Sequence, residues 1–112
     1  MELIRIQLDL LENILAAMQR GKAIMPYEWM FDVENVRSAL LKAYQSKAQA
    51  LGHPGSLDAS IPELSSLCEA ILRLSSLSFL GGFGVTFNVV VNTVREAVRN
   101  IEQQLQAEQV VT

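Results

Sequence analysis

A chain of 112 residues can hold one hydrophobic core but not two, so a single domain over residues 1–112 is expected. Half of the residues are apolar (50%) and 19% are charged, which excludes intrinsic disorder, because burial of that apolar surface offsets the conformational entropy lost on folding. The net charge is −3 and the nine basic residues sit singly, so no stripe tracks a phosphate backbone and nucleic-acid binding is not expected.

Residues 2–20 read as the first helix. Ile4, Leu8, Leu11, Leu15 and Met18 recur at steps of four and three, a heptad seam. Arg5, Asp9 and Glu12 lie on another face, where Arg5 can pair with either acid for tenths of a kcal/mol. Gly21 is a natural stop, and Arg20 complements the carbonyl end. Leu3, Ile6, Leu10 and Ile14 widen the apolar stripe beyond what one packing neighbour covers. The acids inside this apolar run argue against a signal peptide, and a cytoplasmic location is the expectation.

The second helix is expected over residues 27–51, with Pro26 near its first turn and Glu28 and Asp32 complementing the positive end of the dipole. Trp29, Val33, Val36, Leu40, Tyr44 and Leu51 make its seam, and Gly52 and Pro54 end it. The third helix, residues 61–79, opens on Ser60-Ile61-Pro62-Glu63, which has the form of a capping box. Its apolar stripe runs through Leu64, Leu67, Cys68, Ile71, Leu74 and Leu77. The fourth, residues 84–108, keeps a seam through Phe87, Val90, Val94, Val98, Ile101 and Leu105. Short connections make neighbouring helices antiparallel. The fold class is therefore all-α, a four-helix up-down antiparallel bundle.

Leu74 to Val94 carries no charge and admits three readings. Twenty-one residues at about 1.5 Å each would cross about 30 Å of hydrocarbon. Ser75, Ser76, Ser78, Asn88 and Asn92 interrupt the stretch, and both flanks continue amphipathic helices, so no membrane span is expected. "VTFNVVVNTV" has strand propensity and "GGFG" could tip a hairpin. A lone hairpin is marginal, however, and the seam continues in register into "REAVRNIEQQL". A helix, a glycine turn and a second helix fit best.

Signals of chemistry are weak. His53, the one histidine, sits between turn-formers in "LGHPG" and has no second ligand beside it in sequence. Glu28, Asp32 and Asn35 share a face and could hold a divalent ion only if another helix supplied oxygens. Cys68, the single cysteine, cannot form an internal disulfide and reads as a small buried hydrophobe. "GGFG" lacks the Lys-Ser/Thr of a phosphate loop, and Asn88 and Asn92 read as an outer helix face. No catalytic residue, cofactor or metal is assigned.

The expected function is non-enzymatic: a small helical protein of adaptor, inhibitor, immunity or chaperone type, acting through protein–protein contacts and most simply as a homodimer. Its candidate interface is Ile6, Leu10 and Ile14 on the first helix, with Phe79, Phe83, Val85 and Val89 around the start of the fourth. One alternative is an apolar ligand enclosed by Trp29, Tyr44 and Phe87. A more distant one is a metal-dependent hydrolase using Glu28 and Asp32.

Overall fold

The periodic segments fold as helices throughout. In the computed structural model, which describes residues 2–20, 30–53, 55, 57–80 and 87–110, α1 spans Glu2–Arg20, α2 Met30–Ala50, α3 Ser65–Leu80 and α4 Phe87–Val110. A 3-10 turn, Pro62–Leu64, leads into α3, and the described residues contain no strand.

Side-chain pairs give the direction of each helix. Leu3 and Ile4 at the start of α1 share a depression with Ala43 and Lys47 near the end of α2. Ile14 and Ala17 share another with Asp32 and Val36, near the start of α2. These two helices are therefore antiparallel. Between α3 and α4, Arg73 Nε donates to Asn100 at 2.9 Å and the Leu67 amide to Gln104 at 3.0 Å, so this pair is antiparallel as well. Lys47 bonds Glu108, joining the C-terminal parts of α2 and α4. Each helix packs against two neighbours, in the cyclic order α1, α2, α3, α4.

Four apolar seams meet inside the ring. Ile4, Leu11, Leu40, Leu67, Ile71, Val94 and Ile101 have no accessible surface at all. Ile14 belongs to this core and is only 9% exposed, in contrast to the outward position expected for it. The reason is register: it follows Leu11 by three and precedes Met18 by four, which places it on the seam. Leu51 departs the other way. Its periodicity places it on the second seam, but α2 ends at Ala50 and Leu51 is 44% exposed.

Gly52 ends α2 in a Schellman motif. Its φ is +81°, in the left-handed region, its N–H donates to Gln49 O at 3.0 Å, and the His53 N–H reaches Ala48 O at 2.8 Å. The start of α3 differs from the expected capping box. The Ser60 amide and hydroxyl both donate to the Asp58 carboxylate, at 2.9 and 2.6 Å. Ile61 is the N-cap of the 3-10 turn before α3 and supplies no side-chain cap.

The strand-prone valines are helical from Phe87 onward, because Val90, Val91 and Val94 bury against the core and that packing outweighs propensity. No described helix is long and apolar enough to cross a membrane. The expected Arg5–Asp9 and Arg5–Glu12 pairs do not form; all three side chains are exposed. The "GGFG" turn, Gly21, Pro26 and Glu28 lie outside the described residues.

Candidate functional site on α1 and its groove with α2

Burying the seam of α1 leaves a second apolar row on its flank. Leu3, Ile6 and Leu10 are 43, 52 and 46% exposed, although steps of three and four residues place them on one line of the helix. Arg5, Asp9 and Glu12 occupy the opposite flank, so no charge interrupts the row.

Beside this row a groove of about 380 Å³ runs between α1 and α2. Leu10, Ile14, Ala17 and Val36 form its apolar part, while Gln7, Asn13, Asn35 and Asp32 bring three carboxamides and one carboxylate. A second depression, about 350 Å³, continues the furrow toward the other end of the bundle between Leu3, Ile4 and the small residues Ala43, Ser46 and Ala50.

Gln7 is the unusual member. It is only 7% exposed, yet it makes no hydrogen bond among the described residues. Its amide atoms are not sealed from the surface either: the described side-chain atom that is fully buried and unbonded is Oε2 of Glu108. Gln7 thus combines an unbonded, nearly buried carboxamide with a place in the lining of the groove.

The other sequence candidates scatter. Val89, 44% exposed, stands in the first turn of α4. Glu108, near the other end of α4, bonds Lys47, which lies beside Leu3. Val89 and Glu108 are nineteen helical steps apart, about 28 Å along the axis. Val89 and the Leu3–Ile6 row thus sit toward opposite ends of the bundle rather than in one patch. Phe83, Val85 and Trp29 lie outside the described residues, as do the side chains of Phe79 and Phe87. Tyr44 is 1% exposed and packed in the core; its hydroxyl accepts the Asp58 N–H at 2.8 Å and donates to Asp58 O at 3.3 Å.

Hydrogen bonds from Ser60, first from its hydroxyl and then from its amide, hold the Asp58 carboxyl below the usual carboxylate range, with His53 adding a smaller pull. Burial pushes the Cys68 thiol up, and the residue is 1% exposed. Among the described residues no three His, Cys, Asp or Glu side chains gather to hold a metal ion.

Sequence reasoning missed Gln7 and Asn13, as well as Lys47, Gln104 and Glu108, which line one depression at the end of the bundle. Gln7 and Gln104 did leave a trace: each stands on a seam, three residues after Ile4 and Ile101 respectively, where an apolar residue is expected. Compared with known proteins, the chain matches no family model, no curated protein and no solved structure.

Proposed function

We propose that this chain is a non-enzymatic helical protein of adaptor, inhibitor, immunity or chaperone type that works by protein–protein contact, and that its simplest partner is a second copy docked on the outer row of α1. The carrying observation is that Leu3, Ile6 and Leu10 stay between 43 and 52% exposed in one line while the seam beside them is buried. Contiguous exposed apolar side chains mark contact surfaces more often than scattered ones do.

Two features favour a second copy as the partner. A two-fold axis crossing α1 between Ile6 and Leu10 would set each Ile6 against the other copy's Leu10, a self-complementary match of the kind isologous dimers use. The bundle measures 44 × 25 × 18 Å, so one long face offers an area on the order of the ~800 Å² per partner of a standard interface. The net charge of −3 is small enough not to oppose such docking strongly.

Light scattering and sedimentation equilibrium test the reading. The wild-type chain is expected to dimerise at micromolar concentration, and Ile6→Glu with Leu10→Glu to give a monomer of unchanged helicity, since both sites are exposed. A wild-type chain that remains monomeric at the highest attainable concentration would remove self-association from the proposal.

A further inference from the structure

From the two buried glutamines we infer that the α1–α2 groove is a binding site for a guanidinium group carried on an aliphatic stem, recognised by Gln7, Asn13, Asn35 and Asp32. Gln104, 1% exposed, is satisfied twice, by the Leu67 amide and the Glu63 carbonyl. Gln7, 7% exposed, is satisfied by no described residue, and it lines a groove large enough for a small ligand. A nearly buried carboxamide that is left open toward a cavity is a polar group prepared for a partner from outside the fold.

The lining selects the chemistry. Among the described lining residues the one charged group is the carboxylate of Asp32, which makes no ion pair with the other described residues. No basic side chain is among the described residues that line the groove. Arg37, the first basic residue of α2, is held by Glu34 through Nε at 2.9 Å. The described lining thus brings no positive charge and offers four side-chain acceptors: the Asp32 carboxylate and the carbonyls of Gln7, Asn13 and Asn35. A guanidinium brings a fixed positive charge and five N–H donors in one plane, and it matches a carboxylate flanked by amide carbonyls better than a compact ammonium does. Leu10, Ile14 and Val36 provide an apolar wall for the stem.

Such a group could arrive on a free small molecule or on an arginine of a second copy. Arg5 and Arg20 are exposed on α1 and form no ion pair among the described residues. The binding site itself does not depend on dimerisation.

The experiment is a titration of the full-length chain with butylguanidinium, and in parallel with its neutral isostere butylurea. It is followed by the side-chain amide resonances in two-dimensional 15N NMR, with light scattering on the same samples. Saturable shifts of the Gln7, Asn13 and Asn35 side-chain amides are expected with butylguanidinium. Binding should weaken about tenfold or more with butylurea and in Asp32→Asn, since loss of one charge-assisted contact is worth at least a factor of ten. Gln7→Leu should abolish the shifts of the remaining amides. If that variant loses helicity, Asn35→Ala at an exposed position gives the same reading. Dissociation of a dimer during the titration would assign the natural occupant to an arginine of the second copy; saturation without change of mass would assign it to a free cation. Equal affinity for the two isosteres, or no saturation up to the solubility limit, overturns the site, and a monomer that still binds separates this result from the fate of the dimer reading.

Discussion

Gln104 of α4 closes the first turn of α3 through Leu67: its side-chain oxygen accepts the Leu67 N–H at 3.0 Å, and its amide donates to the Glu63 carbonyl at 2.8 Å. The first four amides of a helix have no partner within it, and Ile61, the N-cap of the 3-10 turn that leads into α3, supplies no side-chain acceptor. A glutamine 37 residues away in sequence therefore performs the capping, and it joins α3 to α4 in doing so. Gln104→Leu keeps the volume, strands the buried Leu67 amide and removes the donor of the part-buried Glu63 carbonyl. The expected cost is about 1–3 kcal/mol in urea unfolding, with an unchanged m-value. A cost near zero would mean that water replaces the side chain.

Gly52 is held at φ +81° by the Schellman motif, and a Cβ added there would meet nothing within 4 Å. The penalty for Gly52→Ala is therefore one of backbone conformation alone, about 1–2 kcal/mol. Asn tolerates the left-handed region better, so Gly52→Asn should cost clearly less. Thermal unfolding of the two variants measures the difference, and equal losses would contradict the conformational explanation.

The seams could be read in the sequence because helical periodicity is a local property: residues three and four apart share a face whatever the rest of the chain does. The helix ends were harder to read. Ser60, Pro62 and Glu63 have the pattern of a capping box, but Ser60 is committed to the Asp58 carboxylate and the amides of α3 are satisfied from α4. A competition between a local bond and one reaching 37 residues along the chain leaves no local trace. The same holds for the site. The row Leu3, Ile6, Leu10 was visible as excess apolar width, and Ile14 was grouped with it because periodicity alone does not say where a wide stripe stops. That Gln7, Asn13, Asn35 and Asp32 line one groove depends on the axial offset between α1 and α2, which is set by packing.

Tyr44 fastens the α2–α3 connection by exchanging two hydrogen bonds with the backbone of Asp58. Tyr44→Phe retains the ring and its burial but leaves a peptide N–H without its acceptor. A loss of about 1–2 kcal/mol is expected, and hydrogen exchange at the Asp58 amide should accelerate before global unfolding. Unchanged exchange there would mean that the loop is held by other contacts.

Asp58 adds a pH dependence to the same loop. The Ser60 bonds favour its ionised form and lower its folded pKa, so its contribution to stability is present above the ordinary carboxylate range and is lost as pH falls through the folded value. Ser60→Ala removes the hydroxyl bond, the largest cause of the shift. The 13C-detected titration of the Asp58 carboxyl should then move upward toward the ordinary value, and the acid limb of the stability curve should become shallower. A titration unaffected by the substitution would assign the depression to the Ser60 amide and to His53 instead.

Cys68 tests the integrity of the whole core. It lies in the α3 stripe at 1% exposure, and burial raises its thiol above the ordinary range, so at neutral pH the native state offers neither access nor thiolate. Reaction with a thiol reagent must then proceed through opening of the bundle. Its rate should fall about a thousandfold or more below that of an unfolded peptide, and it should rise with urea along the global unfolding slope. Gln104→Leu, which destabilises the contact between α3 and α4, should raise the rate by the factor that its loss of stability implies, whereas Gly52→Asn should raise it little. A fast reaction in the absence of urea, with full helicity retained, would show that α3 opens locally, away from the rest of the core.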